Sequence, residues 1–198
     1  IVDSTFQDIF NNHDLNDFYL NIQINNSKVS YNGGGNIFNS NTEFSGEQSN
    51  INEGFIDEIK GKYTIKRSFS EYFFPEGDFI IQGESEILYN IIEDDNGFSK
   101  IEGLGDLENL NLKSDFLGPN LDFNNGKLRF LIRPYDNSFS GFADIKTNNL
   151  NVEVNSIFNL TKLIELDVQT FKSPKQDFNL KYEGENNKFS INANKLSL

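Results

Sequence analysis

The chain has 198 residues, and its 17 basic and 30 acidic residues give a formal net charge of −13 at pH 7. This acidic balance disfavours DNA, RNA and anionic membrane surfaces as partners, because like charges repel. The absence of Cys excludes disulfides, a thiolate nucleophile and a Cys-based zinc site, and no apolar run reaches the roughly 18 residues that span a bilayer.

The chain contains no Met and opens on Ile1 and Val2, so we expect it to be a piece of a longer protein. We treat residues 1–198 as a single β-rich domain, since all-β units can reach this length. Any membrane anchor or export signal is expected outside this fragment.

Apolar residues recur at every second position through most of the chain. This period gives each strand one apolar and one polar face. We predict a mainly β fold, a curved antiparallel sheet or an open groove or sandwich, with one or two short helices. The clearest runs are Phe18, Leu20, Ile22 and Ile24, then Leu128, Phe130 and Ile132, then Leu150, Val152 and Val154.

In the first half of the chain, one short helix precedes a series of hairpins. Phe6, Ile9 and Phe10 have helical spacing and predict a helix over residues 3–13. Residues 39–52 are polar and rich in turn formers, and residues 93–97 predict a hairpin turn. The predicted strands are 17–25, 28–38, 58–70, 78–92 and 98–104.

In the second half, turn signals recur every few residues, as a sheet of short strands requires. Turns are predicted at 118–120 and 124–126, and a final hairpin turn at 184–188. Residues 156–166 are ambiguous, but Ile157, Leu160 and Leu163 favour a helical face. The predicted strands are 107–116, 121–123, 127–134, 139–145 and 150–154, followed by strands centred on Leu180 and Ile191.

Few residues have the pattern of a catalytic site. His13 is the only histidine, and we interpret it as a solvated loop residue, since no nucleophile-elbow sequence accompanies it. Glu84 and Glu86 share one strand face at about 7 Å, a separation that glycosidases use. An ordinary solvated face gives the same spacing, so a carbohydrate-active enzyme ranks behind the other hypotheses.

Two turn-rich segments are candidate ligand sites. Residues 94–97 (Asp-Asp-Asn-Gly) lack the EF-hand order and favour a simple turn over a looser calcium site. The glycine-rich residues 31–36 lack the Lys and Ser or Thr of a phosphate loop, and favour a bend or bulge in a strand. We predict no catalytic residue, no enzymatic activity, no metal site and no cofactor.

The segment 103–154 carries a resemblance to a known family. Residues 105–110 (GDLENL), 121–130 (LDFNNGKLRF) and 139–145 (FSGFADI) are similar to the AsmA-like cell-envelope proteins. In that family, strands of the form nG-x-L-x-F precede an F-x-G-x-A-x-I strand and then a further strand, as residues 150–154 would be here. The resemblance covers about a quarter of the chain.

The resemblance implies a long curved β sheet with a hydrophobic inner surface. It also implies a non-enzymatic role on the periplasmic side of a Gram-negative cell envelope, moving phospholipid between inner and outer membranes. The partner would be a phospholipid or another acyl-chain ligand, with membrane contact through parts outside this fragment. The candidate groove lining is Leu128, Phe130, Ile132, Leu150, Val152 and Val154.

Two interpretations of the apolar residues remain open at this point. A packed core is the default interpretation of the 20 Phe and 7 Tyr residues, and the rival interpretation is an open groove that offers hydrocarbon a dry path. A packed core would favour the alternative function, a β-rich surface protein, an adhesin or a structural binding module, located outside the cell.

Overall fold

A computed structural model describes residues 4–10, 13–25, 28–37, 39–49, 56–73, 80–94, 97–114, 118–123, 125–159 and 162–196. These residues form sixteen strands and one helix. In chain order the elements are β1 (Ser4–Phe10), β2 (His13–Asn25), β3 (Lys28–Ile37), β4 (Ser40–Ser49), β5 (Ile56–Lys66), α1 (Arg67–Phe73), β6 (Ile80–Gln82), β7 (Glu84–Asp94), β8 (Gly97–Asp106), β9 (Asn111–Ser114), β10 (Gly118–Asp122), β11 (Lys127–Tyr135), β12 (Ser138–Lys146), β13 (Asn151–Phe158), β14 (Leu163–Lys172), β15 (Asp177–Glu183) and β16 (Lys188–Lys195).

Thirteen of the described strands form one antiparallel sheet, which we call the main sheet. Its order is β1-β2-β3-β4-β5-β7-β8-β11-β12-β13-β14-β15-β16, so each strand pairs with the next one along the chain apart from two insertions. The sheet is open, since β1 and β16 are its outermost strands and do not pair with each other. The predicted fold class, mainly β and built on an open antiparallel sheet, is confirmed.

The two insertions build a second, smaller sheet. One insertion supplies α1 and β6 between β5 and β7, and the other supplies β9 and β10 between β8 and β11. They pair antiparallel in the order β10-β9-β6. We call this small sheet, together with α1, the cap.

The cap lies at one end of the main-sheet strands because both insertions leave and rejoin the sheet at that end. The turns 147–150 and 173–176 lie at the same end, which we call the capped end. The hairpins at 136–137, 159–162 and 184–187 lie at the opposite end, which we call the open rim.

A compact core forms where the cap meets the main sheet. Ile87 of the main sheet is 4% exposed and packs with Leu107, Leu110, Phe123 and Leu150, which lie in the connections of the capped end. Burial of these side chains contributes about 1.5–3 kcal/mol each relative to exposure. All the hydrophobic side chains that are buried in the described fold, these five and Phe178, therefore lie at one end of the sheet.

Helix α1 replaces the end of the strand predicted over 58–70. Pairing of β5 with β7 ends at Lys66 and Glu84, and beyond it the chain has no partner strand. Arg67 and Glu71 then form an i,i+4 ion pair at 2.7 Å, and buried Ser70 accepts a hydrogen bond from the Ile81 amide at 3.0 Å. No helix in the described ranges is long and apolar enough to cross a membrane.

Both predicted helices are wrong. The described part of the segment 3–13 pairs as β1 with the start of β2, with register shifts around Phe6 that imitate helical spacing. Segment 156–166 is a hairpin between β13 and β14, in which Asn159 Oδ1 accepts a hydrogen bond from the Lys162 amide at 3.0 Å. A register shift between Ile157 and Phe158 leaves Ile164 as the extra residue of a bulge. The strand therefore contains two adjacent apolar residues, Leu163 and Ile164. Residues 1–3, 11–12 and 160–161 lie outside the described part.

Three other predictions differ from the structure. Residues 40–49 of the supposed polar loop form β4, and residues 118–120 of a predicted turn belong to β10. The predicted strand 78–92 is divided at Gly83, whose φ of 84° suits glycine and where a Cβ would overlap the Asn109 carbonyl oxygen. Its residues 78 and 79 lie outside the described part.

Aromatic rings lie flat over glycines of neighbouring strands. A Cβ at Gly61 of β5 would overlap the Tyr89 ring of β7. The Tyr89 hydroxyl forms a hydrogen bond of 3.2 Å with Thr42 Oγ1 on β4. A Cβ at Gly103 of β8 would likewise overlap the Phe130 ring of β11. These rings cover a glycine and lie along the sheet instead of standing away from it.

We expect Gly61→Ala to lower the free energy of unfolding by about 1–3 kcal/mol, because the new methyl group displaces the Tyr89 ring. Urea denaturation of the variant and of Tyr89→Leu, alone and combined, measures the coupling. In the Tyr89→Leu background the alanine should cost much less. Additive effects of the two substitutions would contradict this packing.

Candidate functional site: the two faces of the main sheet

The strand registers place most of the predicted lining residues on one face of the main sheet. Residues directly opposite each other in neighbouring strands point to the same face. Leu128 lies opposite Ile145, which lies opposite Val152. In the same way Phe130 and Val154 both lie opposite Ala143.

The same parity extends from β2 to β16 and defines a continuous apolar face. The registers connect it strand by strand, with β-bulges absorbing the local shifts. Its members include Leu20, Ile22, Ile24, Val29, Tyr31, Phe44, Ile59, Tyr63, Ile65, Ile87, Tyr89, Ile91, Ile101, Leu128, Phe130, Ile132, Phe139, Ala143, Ile145, Val152, Val154, Phe158, Leu166, Val168, Phe171, Phe178, Leu180, Tyr182, Phe189 and Ile191.

Only the capped end of this apolar face is covered. Ile87 and Phe178 are buried there, whereas the described apolar side chains nearer the open rim are half-buried or exposed. Ile22 and Ile191, near the two edges, are each 57% exposed. The described residues therefore form an open apolar surface with one covered end, and do not form a filled sandwich.

The six predicted lining residues fall into three groups. Ile132 and Val154 lie on the apolar face away from the core, half-buried. Leu128, Phe130 and Val152 lie on the same face and pack against the core. Leu150 is 4% exposed in the turn before β13 and belongs to that core.

Aromatic contacts run between strands on this face. Phe139 lies 6.0 Å from Phe98 and 5.9 Å from Phe158, measured between ring centroids. Tyr182 and Phe189 lie 4.6 Å apart in tilted geometry. Such pairs add about 0.5–1.5 kcal/mol each beyond their buried area. They join neighbouring strands or, for Phe98 and Phe139, two strands on either side of β11, without burying the face.

The opposite face, the polar face, carries cross-strand ion pairs. These pairs are largely solvated, and each contributes little to stability. Lys62 bridges Glu43 at 3.2 Å and Glu86 at 3.4 Å, and hydrogen bonding to Glu43 raises the pKa of the lysine. Further pairs are Lys28 with Glu47 at 2.5 Å, Lys127 with Asp106 at 2.5 Å and Lys181 with Asp167 at 3.9 Å.

Asp144 is the exception on the polar face because its side chain is only 4% exposed. Its Oδ2 accepts hydrogen bonds from Arg129 and, at 3.2 Å, from Lys146. Burial alone would raise the pKa of this carboxyl, but the hydrogen bonds and charges of the two cations outweigh it and hold the pKa below its usual value.

The polar face also contains an apolar depression that the sequence analysis missed. It has a volume of about 650 Å³, and its apolar lining includes Leu88, Leu104, Leu131 and Phe142. Leu88 and Leu104 are 57% and 61% exposed. The sequence contains a signal for this depression, because adjacent residues in a strand point to opposite faces. Two adjacent apolar residues therefore place one of them on the polar face, as in Ile87 with Leu88 and in residues 130–132.

The described residues of the other sequence-based candidates are not arranged as a catalytic site. Glu84 and Glu86 line a wide depression of about 730 Å³ on the polar face, together with Lys127 and Arg129. Across the described ranges, no three or more of His, Asp and Glu are grouped to hold a metal ion. The side chain of His13 and residues 95–96 lie outside the described part, so the predictions made for them have no structural counterpart.

No family model, curated protein or solved structure matches this chain. The resemblance of residues 103–154 to AsmA-like proteins therefore stays a prediction. The part of that segment that forms β11, β12 and β13 has the expected hairpins, with the small residues Gly141 and Ala143 at the centre of β12.

We expect Asp144→Asn to lower the free energy of unfolding at pH 7 by about 1–3 kcal/mol, through loss of charged hydrogen bonds. Because the folded pKa is depressed, the contribution of Asp144 is fully present above the unfolded pKa of about 3.9 and is lost as pH falls through the folded value. Urea denaturation at pH 7 and at pH 3 measures both effects.

Asp167→Asn is the matched control, since its lysine partner is distant and 71% exposed. It should change stability far less than Asp144→Asn at pH 7. Equal losses for the two variants, or a cost of Asp144→Asn that does not shrink towards low pH, would contradict this role of Asp144.

Proposed function

We propose that the apolar face binds the acyl chains of phospholipid and that the protein is a non-enzymatic lipid carrier. The observation that supports this most is the continuous apolar face, which the described residues leave uncovered from the cap to the open rim. Soluble proteins rarely expose an apolar surface of this extent without a ligand or partner.

The energetics favour hydrocarbon as the ligand. Each acyl CH₂ removed from water contributes about 0.8 kcal/mol, and the protein side chains that it covers gain as well. Thirteen strands spaced at about 4.8 Å extend about 58 Å across the sheet. The acyl chains of one leaflet, half of a hydrocarbon core about 30 Å thick, are much shorter than this.

The geometry also favours one placement of the lipid. The cap covers the apolar face at one end of the strands, so the acyl chains would lie on the part of the face nearer the open rim. The two edges of the main sheet, near Ile22 and Ile191, leave the apolar face accessible at both sides. The polar headgroup could therefore reach water at the open rim or at either edge.

The cellular setting of the proposal comes from the AsmA-like resemblance. On that basis the protein assists phospholipid transport between the inner and outer membranes, on the periplasmic side of a Gram-negative envelope. Its net charge of −13 disfavours direct binding of this segment to anionic bilayers. Membrane contact would then fall to parts outside the fragment.

The alternative function, a surface or structural binding module, is favoured by one observation. The depression around Leu88 and Leu104 offers an apolar floor within a charged face, as small binding sites often do. In that case the ligand would occupy the polar face, and the apolar face would be covered by protein.

Native mass spectrometry of the chain, purified in mild detergent and loaded with mixed phospholipids, distinguishes the two faces. Ile132→Asp places a charge on the apolar face, and we expect it to reduce the lipid-bound fraction several-fold. Leu104→Asp, in the depression of the polar face, is the control and should leave lipid binding unchanged. Thermal unfolding verifies that both variants fold.

A protein that carries no phospholipid under these conditions would contradict the proposal. Loss of lipid only in Leu104→Asp would move the binding site to the polar face and support the alternative. Lipid binding that both variants leave unchanged would show that neither face holds the acyl chains.

A further inference from the structure

We propose that the free edge of β16 pairs with β16 of a second copy of this chain, antiparallel and centred on Ile191. This interaction surface does not depend on lipid binding. It follows from the exposure, the composition and the self-complementary register of that edge.

Strand β16 is an edge strand along its whole length. Seven of its eight residues pair with β15 on one side, Asn194 being the extra residue of a bulge, and all eight are exposed. Phe189 is 61% exposed and Ile191 57% exposed, both on the apolar face. One row of backbone N–H and C=O groups of β16 therefore has no strand partner in the described fold.

The composition of this edge lacks the usual protection against pairing. Soluble proteins guard edge strands with mid-strand charges, proline, a bulge or a covering element. In β16 the only charges are Lys188 and Lys195 at its two ends, and residues 189–194 contain neither a charge nor a proline. Its one bulge, at Asn194, lies next to the end of the strand and leaves residues 188–193 regularly paired. The edge is therefore competent to accept another strand.

The sequence of β16 is complementary to itself in one register. With Ile191 opposite its own copy, Phe189 lies opposite Ala193, and Ser190 lies opposite Asn192. A large side chain then lies opposite a small one on the apolar face, as Phe178 already lies opposite Ala193 within the chain. Lys188 lies opposite Asn194, so no like charges oppose each other.

Other registers are less favourable. A shift by one residue would set apolar side chains opposite polar ones from the other face. Centring the pair on Asn192 would place Lys195 opposite Phe189, and centring it on Ser190 would shorten the paired segment. The register centred on Ile191 pairs residues 188–194 without these conflicts.

The pairing has a definite geometric consequence. A twofold axis perpendicular to the sheet keeps the two apolar faces on the same side and joins them into one surface. Because the two β16 strands run antiparallel, the caps of the two copies would lie at opposite rims. A strand from elsewhere in a longer parent protein is the competing occupant of this edge.

Disulfide trapping in the 198-residue chain tests the register directly, since the chain has no other Cys. Ile191→Cys should form a disulfide-linked dimer at least ten-fold faster than Leu88→Cys under mild oxidation. Leu88 is the matched control because it is also 57% exposed, but its strand β7 pairs with β5 on one side and with β8 on the other. Phe189→Cys should also be slow, because it lies opposite Ala193 and not opposite itself.

Sedimentation equilibrium of the delipidated chain gives the second readout. We expect a dimer that Ile191→Lys weakens at least ten-fold in Kd, while Leu88→Lys leaves it unchanged. A monomer at all accessible concentrations would overturn the proposal and leave the edge to another strand. A dimer in which Ile191→Cys crosslinks no faster than Leu88→Cys would overturn it too, and would place the contact elsewhere. Either result leaves lipid binding by the monomer untouched.

Discussion

Cross-strand register is the constraint on which the described structure depends. Side chains alternate between the two faces with a period of two, so a slip of one residue in any hairpin would invert every strand beyond it. From β2 to β16 the pairing keeps one parity, and local shifts are absorbed by bulges such as the one near Phe158. The result is a single sheet with apolar side chains on one face and ion pairs on the other. A short run of strands could tolerate an inversion, but a surface shared by twelve strands cannot.

A single layer of strands needs another source of stability, and the cap supplies it. Ile87, Leu107 and Leu150 are buried where the small sheet meets the main sheet, whereas the apolar residues nearer the open rim remain partly exposed. Rings that lie flat over glycines, such as Tyr89 over Gly61, and cross-strand ring pairs hold the strands together without a second layer. The residues that stabilise the fold and the residues proposed to bind lipid thus lie in different parts of the strands. Lipid bound above the core would add stability through burial of the apolar face.

The fold class and most strands could be predicted from the sequence because alternation is a local signal. Alternation also predicts that Ile132 and Val154 each belong to the apolar side of a strand, and the registers place both on the apolar face. Helix prediction failed where bulges imitated a helical period, as at Leu163 and Ile164, and β4 was missed because a glycine, Gly46, takes an apolar position under the Tyr31 ring. The cap could not be predicted, since its pairing of β6 with β9 joins segments far apart in sequence. Leu150 was assigned to the lining because alternation gives the face of a side chain but not what covers it.

The most direct measurement is tryptophan fluorescence quenching by phospholipid with brominated acyl chains. The chain contains no Trp, so Val154→Trp and Asn155→Trp each introduce a single reporter. These adjacent residues of β13 point to opposite faces of the sheet. Acyl chains on the apolar face should quench the emission of Val154→Trp strongly and that of Asn155→Trp little. Equal quenching at both positions, or stronger quenching at 155, would contradict the assignment of the apolar face as the lipid-binding surface.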